Sequence, residues 1–485
     1  MTKSEYRPPI SRRTLLKSGL CSLCALSAGN LCFAQRGRGG MNLMPVMPDE
    51  NNPAIAYYPE ACQRCGDCRL VCRDMQTVKG RPNAENDSEA CVYCGQCATY
   101  CPEGALTERF DFPRLAPLLD DQEKTFIAAL APSVPVSIGE MYRLDVGTDL
   151  TAPLIAALKT IGFRYVLDTS FAADLTIMEE ASELVRRLKE NAGPLPLITS
   201  CCPAWVRFCE LFFPAWTKNL STTKSPFMSL GALIKTWYAQ KMELDPEKIV
   251  SVALAPCTAK KYEITLPFGR AAGRTHHKAS MVDFDFALTT RETAYLLHER
   301  GEKLAAPTEA QTNAPDTFDS LLGNASSGGM IFGATGGVAE SLLRTAYFLM
   351  NGENAPENFL DTETLGSIKG TRTITADFKS KTVKVAVVHG LGNARELIES
   401  LDAANPAYDV IEVMACRGGC LGGGGQPLTP TGSRDDLRKK RIAGLRSRAA
   451  GEPVHLCHEN PDLQTLYTEF LSAPFSDISR ELLHR

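Results

Sequence analysis

The sequence predicts a two-lobed α/β region with mainly parallel sheets flanked by helices, preceded by a smaller, cysteine-rich α+β domain. Three observations predict it. Runs such as Phe126 to Leu130, Leu195-Pro196-Leu197-Ile198, Ile249 to Leu254, Val383 to Val388 and Val410 to Val413 have the length and near-continuous apolar character of strands buried on both faces. They alternate with helical patterns such as Ser341 to Arg344, as βα units do. Ahead of them, between about residues 56 and 110, eight cysteines fall in a doubled register. At 485 residues and 44% hydrophobic, the chain can bury a substantial core across several domains.

In chain order, residues 1–34 come first. Ser11-Arg12-Arg13-Thr14-Leu15-Leu16-Lys17 precedes a modestly apolar stretch, Ser18 to Phe33, with a cleavage point after Ala34. That order of regions reads as a twin-arginine export signal, and the stretch is too short and too rich in Gly, Ser and Cys for a membrane span. The predicted address is the periplasm. Residues 35–55 read as a mobile linker, because Arg36 to Pro53 is rich in Gly, Pro, Asn and Met.

Residues 56–110 carry Cys62-x-x-Cys65-x-x-Cys68-x-x-x-Cys72, repeated as Cys91-x-x-Cys94-x-x-Cys97-x-x-x-Cys101-Pro102. Spacing alone leaves a pair of zinc knuckles open, but the doubled register and Cys101-Pro102 resemble a bacterial two-cluster ferredoxin. In such repeats the fourth cysteine crosses over. One 4Fe-4S cluster is then expected on Cys62, Cys65, Cys68 and Cys101, the other on Cys91, Cys94, Cys97 and Cys72. Gly66 and Gly95 let the backbone wrap closely around each.

Residues 111–430 form the expected catalytic region. Three segments bring cysteine out of expected strand ends: Thr199-Ser200-Cys201-Cys202-Pro203, Ala255-Pro256-Cys257-Thr258-Ala259-Lys260 and Val413-Met414-Ala415-Cys416-Arg417-Gly418-Gly419-Cys420. Sites in open α/β sheets form beyond the carboxyl ends of strands, so the three can share one pocket. Four thiolates suit an iron-sulfur cubane. Zinc ribbons also use four, but pair them in nearby Cys-x-x-Cys knuckles, whereas these are far apart in sequence.

These segments, with Gly422 to Pro427 continuing the third, resemble the signature motifs of iron-only (FeFe) hydrogenases. The resemblance covers most of the chain after residue 55. It implies an H-cluster: a 4Fe-4S cubane joined to a diiron unit with carbonyl, cyanide and an azadithiolate bridge, which splits hydrogen heterolytically or forms it from protons and electrons. It implies Cys202, Cys257, Cys416 and Cys420 as cubane ligands, with Cys420 the bridge, and Cys201 as proton donor and acceptor. Glu180, Glu183 and Ser221 match the family's proton route, and the spacing of the glutamates puts both on one helix face. Lys260 would bind one cyanide, with Glu263 orienting its segment, while Lys261 is expected in an ordinary surface Lys-Glu pair. Pro132 and Ser133 resemble the loop that binds the other cyanide, and Met414 joins the cofactor-binding set.

Three departures alter the surroundings of the centre: Ala255 and Ala339 stand where methionine is usual, and Phe227 where glutamine is. Of the 18 cysteines, ligation, proton transfer and the leader account for all but Cys209, expected in the core, and Cys457, which has no assigned role. The glycines of 328–329 and 333–337 are expected to permit tight packing rather than nucleotide binding, and His276-His277 to lie in a polar loop.

Residues 431–485 change character. Arg434 to Arg448 is basic and helical in pattern, and His458-Glu459-Asn460-Pro461 leads into Leu463 to Tyr467. This resembles the family's small subunit, here fused to the catalytic chain. Net charge is -4, and no basic tract indicates nucleic acid. Loss of the leader would make the chain more acidic and favour a small basic electron carrier. The resemblance implies a periplasmic c-type cytochrome or a ferredoxin as that carrier, with cytoplasmic maturation factors acting before export. A hydrogen-sensing protein of low turnover is the alternative; it would usually carry a signalling domain, and none is visible. A cluster-assembly relative should lack the complete third motif, and a ferredoxin would explain only residues 56–110.

Overall fold

The structure is a computed structural model describing residues 45–79, 90–307, 316–402, 405–428 and 433–485. The expected export signal lies outside the described residues. Strands β1 (Ile55–Tyr57) and β2 (Leu106–Glu108) pair antiparallel and close the small N-terminal domain.

Strands β3 (Thr125–Leu130), β4 (Tyr165–Asp168), β5 (Leu197–Ile198), β6 (Ile249–Ala255), β7 (Phe286–Thr289), β8 (Thr371–Asp377), β9 (Thr382–His389) and β10 (Val410–Met414) follow. They form two four-stranded sheets, ordered β4-β3-β6-β7 and β5-β10-β9-β8. The first is wholly parallel, and its central strands are apolar on both faces, with Ile127, Ala129, Val252 and Leu254 fully buried. The second is parallel except for its edge: β8 runs antiparallel to β9 and alternates exposed threonines with buried Arg372, Ile374 and Ala376. Solvent on one face of an edge strand permits that alternation.

A 22-residue helix, Thr169–Glu190, packs against the helices Gly337–Asn351, Pro226–Leu233 and Ser327–Ile331. Asp168 caps its start by accepting from Ser170 N at 2.7 Å, and Asn191 ends it in the left-handed conformation. Gly329 sits so close that a Cβ there would stand 2.3 Å from Ser170 O, so the glycine is what lets the two helices touch. The expected tight packing of this glycine segment is what the structure has.

Residues 45–53, expected to be mobile linker, pack on the cysteine-rich domain: Val46 is buried and donates its N–H to Cys68 Sγ at 3.4 Å, and Asn52 Nδ2 donates to Cys91 Sγ at 3.4 Å. The thiols give the segment's polar groups partners that composition does not reveal. The C-terminal segment, in turn, is no appendage. Arg441 in its Arg434–Ala450 helix pairs with Glu140 at 2.6 Å and donates to Leu421 O at 2.9 Å, and Thr223 bridges His484.

Candidate active site

The carboxyl ends of β3, β5, β6 and β10 face one cavity of about 80 Å³, lined among others by Pro132, Ser133, Cys201, Cys202, Cys257, Lys260, Met414 and Cys420. Thr199 ties two of the loops by accepting from Val413 N at 3.1 Å. Cys202 is the N-cap position of the helix Pro203–Phe212, and its sulfur accepts from Ala415 N at 3.5 Å. The third loop turns through Gly418 and Gly419, both at positive φ, and Cys420 N donates to Gly333 O at 2.9 Å. Cys416 lies just behind, within electrostatic reach of Cys257, Cys202 and Cys420. Four thiols from distant stretches therefore surround one space.

Burial pushes these thiols up, Cys257 and Cys420 to about 12 and Cys416 well above the ordinary thiol range. Such thiols become thiolates when a metal supplies the charge. Among the described residues, no three His, Cys, Asp or Glu side chains are arranged to hold a single metal ion. A multi-iron group, bound at separate corners, fits this wider set better than zinc does. Ser133 Oγ is buried without a hydrogen-bond partner, an unused donor on the cavity wall.

Lys260 is buried, and its ammonium donates to Ser225 Oγ at 2.7 Å, to Glu263 Oε2 at 2.6 Å and to Cys201 O at 3.5 Å. Burial is the largest influence and opposes its charge, but the charge and hydrogen bond of Glu263, with Cys257 and Cys201 nearby, together hold the lysine above its usual value. The expected Lys260–Glu263 bridge is thus present. Phe227 places its ring 5.5 Å from the ammonium, a cation–π contact where the family's usual amide would have hydrogen-bonded. Ala339 N donates to Glu412 Oε2 at 2.8 Å, and Ala255 is wholly buried at the end of β6. Lys261 is not in a surface pair. It is 3% exposed, bonded to Asp111 at 2.7 Å and Glu292 at 3.0 Å, because partners from remote segments meet it in the interior.

Cys201 lines the cavity beside Cys202, and burial, then the charge of Glu180, pushes its thiol well above the ordinary range. Glu180 and Glu183 lie on the Thr169–Glu190 helix. Glu180 is 1% exposed, and burial followed by the charge of Glu183 pushes it up to about 8. Glu183 accepts from Ser221 Oγ at 2.9 Å and pairs with Arg187, which also donates to the carbonyls of Asn219 and Leu220. The four residues expected of a proton route are brought into one buried series.

On the other side, Cys62, Cys65, Cys68 and Cys101 line one small cavity. Cys97 is close to Cys72 and Cys91, and Cys94 to Cys97. The crossed grouping is the one the repeat predicts. The second set approaches the active cavity: Cys416 feels Cys94, and Gln96 Nε2 donates to Cys416 Sγ at 3.3 Å and to Gly422 O at 3.0 Å. Sequence reasoning passed over Gln96. Its signal is a break in the repeat, since Asp67 fills the same place in the first half. His389 was also missed: Gly418 N donates to its Nδ1 at 2.5 Å while Nε2 faces the Ile368 carbonyl, and burial pushes it down to about 4. It is a neutral brace for the third loop. Cys209 and Cys457 are both core thiols, the latter beside Ser326 at 3.6 Å. His276 Nε2 donates to Lys235 O at 2.7 Å.

A buried, thiol-lined cavity at strand ends, with an iron-sulfur domain on one side and a carboxylate series on the other, defines a redox iron-sulfur enzyme. The chain belongs to the iron-only hydrogenase family of oxidoreductases: residues 124–424 match the iron-only hydrogenase large subunit, C-terminal domain, residues 435–485 the iron hydrogenase small subunit and residues 84–107 a 4Fe-4S binding domain. It is 41% identical to the NADP-reducing hydrogenase subunit HndD of Solidesulfovibrio fructosivorans over 79% of this chain, and spans 63% of that relative's length. It is 38% identical to the periplasmic [Fe] hydrogenase large subunit of Nitratidesulfovibrio vulgaris, over 70% of this chain and 77% of the relative. Among solved structures it resembles the apo [FeFe]-hydrogenase HydA1 of Chlamydomonas reinhardtii, with a TM-score of 0.65, 33% identity, and coverage of 77% of this chain and 98% of that one. The resemblance read from the motifs and the α/β architecture with a ferredoxin-like front both hold.

Proposed function

We propose that this chain reversibly oxidises molecular hydrogen at a diiron-cubane centre. Cys202, Cys257, Cys416 and Cys420 would hold the cubane, and the crossed cysteine sets of the domain spanning residues 56–110 would each hold a further 4Fe-4S cluster. The observation that carries this reading is the convergence of Cys202, Cys257 and Cys420 on one cavity, with Cys416 just behind it and a fifth thiol, Cys201, on its wall within electrostatic reach of buried Glu180. When bound, the group supplies the site at which hydrogen is split and electrons are received.

The chain's own residues manage the proton. Cys201 Sγ exchanges it with Glu180, which at pH 7 is held neutral by burial and so has a proton to give. The Ser221 hydroxyl links Glu180 to Glu183, and Arg187 keeps a counter-charge against Glu183. Lys260 supplies a fixed positive charge on the cavity wall, and Ser133 a free hydroxyl. Both suit anionic ligands on the bound group.

Electrons pass to the second cysteine set beside Gln96, then to the first and to an external carrier, a c-type cytochrome or a ferredoxin. Residues 1–34 direct the folded, cofactor-loaded protein to the periplasm, and residues 431–485 act as the fused small subunit. Infrared spectroscopy of anaerobically matured protein tests the centre, since iron-bound carbonyl and cyanide absorb where polypeptide does not. Bands from both, with hydrogen evolution from a reduced low-potential donor, are expected; conventional inorganic clusters alone would overturn the reading. For the address, replacing Arg12 and Arg13 by lysine should leave the protein in the cytoplasmic fraction, and unaltered export would refute it.

A further inference from the structure

The buried carboxylate series does not stop at Glu183. Its Oε2 accepts from Thr222 N at 3.1 Å and from Thr222 Oγ1 at 3.4 Å, besides Ser221. The Thr222 hydroxyl lies 2.8 Å from His484 Nδ1, and His484 Nε2 lies 3.2 Å from Glu179 Oε2. Thr222 is exposed, whereas His484 is 8% exposed and Glu179 fully buried. Arg485 fastens this arrangement, its N donating to Thr222 O at 3.0 Å and its Nη2 to Ser221 O at 3.3 Å. His484 thus sits at the solvent mouth of the proton route.

Hydrogen counting gives this contact a direction. Thr222 has one hydroxyl hydrogen and two acceptors for it, Glu183 Oε2 and His484 Nδ1. Nε2 faces a carboxylate and carries a hydrogen. With Nδ1 also protonated, the ring donates to Thr222 and the hydroxyl donates to Glu183. With Nδ1 bare, the hydroxyl turns to the ring and Glu183 loses a donor. Transfer inward breaks the Nδ1–H bond and forms a bond to Thr222 Oγ1, as the original hydroxyl hydrogen passes to Glu183 Oε2; no electron changes hands.

We propose that His484, through Thr222, is the proton-exchanging group at the mouth of the route. This rests on the hydrogen-converting reading above. The charged groups around the ring suit a transferable proton. Glu179 faces Nε2 and is itself bonded by Tyr467 OH and Ser479 Oγ, and Glu183 lies beyond Thr222 with Arg187 as its partner. Phe475 covers the ring at 4.4 Å and carries Arg186 on its far contact at 4.7 Å. Arg485 adjoins it, and Lys224 is bound to Leu482 O at 2.7 Å with Asp283 at 4.0 Å.

The test uses matured full-length protein carrying His484→Gln or His484→Ala. Glutamine can hydrogen-bond in place of the ring but cannot carry the proton. Carbonyl and cyanide bands first establish that each variant is loaded; their absence from the unsubstituted protein would overturn the hydrogen reading instead. Hydrogen evolution at pH 7 should fall about tenfold in both variants, the effect of losing one charge-assisted hydrogen bond. Free imidazole should restore His484→Ala, and the carboxyl stretching band of protonated Glu180 should shift in His484→Gln. An unchanged rate and pH profile in His484→Gln would overturn the proposal, and so would a loss that imidazole does not repair with the carboxyl band unmoved.

Discussion

The two flanks of the active cavity are built from different materials. On the electron side, closeness is everything: Gly95 and Gly424 lie so near that a Cβ on Gly424 would stand 2.2 Å from Cys94 O, and Thr258 Oγ1 donates to Tyr93 O at 2.7 Å. Close backbone, the Thr258 hydroxyl, the Gln96 amide on sulfur and the Arg291–Glu108 pair make the contact. On the proton side, the interior is filled with Glu180, Glu183, Ser221, Arg187, Glu179 and His484, joined by hydrogen bonds and ion pairs except at Glu180 Oε2, which is buried without a hydrogen-bond partner. An electron needs only short separations, whereas a proton needs donors and acceptors in hydrogen-bond reach at every step. The electron side should therefore tolerate chemical change that preserves packing, and the proton side should not.

The sharpest break is Cys201→Ala. It removes the first proton station and leaves the cubane ligands untouched, so hydrogen turnover should fall about 10³-fold while the carbonyl and cyanide bands persist. Comparable loss through a missing cofactor would instead make Cys201 a binding residue.

Next comes Arg291→Met, on the electron side. Arg291 joins Glu108 of β2 to the catalytic region, donating at 2.8 Å and 2.5 Å, and also reaches Gly424 O at 2.9 Å. Both partners are buried, so removing the cation leaves Glu108 with the Thr107 and Thr289 hydroxyls but no counter-charge, and should cost about 3–5 kcal/mol in urea unfolding. Turnover of the folded fraction with an artificial dye should change little, since no proton station is touched.

How much of this asymmetry the sequence carries depends on how local each feature is. The strands at Ile249 and Val410 are near-continuous apolar runs, and the cysteine spacing dictates the crossed grouping. The glutamates three apart sit on one helix as their spacing requires. Lys261 was unreadable because its partners lie 31 and 150 residues away. Pro45 to Pro53 has loop composition, yet Asn52 finds Cys91 39 residues on. The antiparallel edge β8 escaped because its alternating threonines fit any half-exposed strand. Periodicity reports which face is buried, and it is silent about which distant charge waits there.

The third test concerns pH. Glu180 is held up to about 8 by burial and then by Glu183, against an ordinary glutamate near 4.5. The folded chain keeps this proton where the unfolded chain has lost it. Its stabilising contribution is therefore full below about pH 4.5 and is lost as pH rises through about 8. Glu180→Gln, which stays neutral, should gain on the order of 2 kcal/mol over the unsubstituted protein between pH 6 and about pH 9 in urea unfolding. Its turnover should fall at every pH, because an amide cannot release the proton. Parallel stability curves for the two proteins would mean that Glu180 is ionised in the fold.

The smallest expected effect probes the amide that reaches Cys416 Sγ at the electron flank. Gln96 Nε2 donates to Cys416 Sγ, a donor the first repeat lacks, since Asp67 has no amide to offer. A hydrogen bond to a ligand sulfur stabilises the reduced, more negative cluster over the oxidised one. Gln96→Leu keeps the volume and removes the donor, so the cubane potential should fall by about 50 mV, from ~1 kcal/mol in a one-electron couple. The bias should move toward hydrogen evolution by the same free energy, with the proton-side pH profile unchanged. If the potential stays put, the amide's work is done at Gly422 O, 3.0 Å away, and Gln96 serves only to hold the third loop against the second cysteine set. In that outcome the electron side would contain no tuned hydrogen bond among these contacts, and the contrast between the flanks would be sharper still.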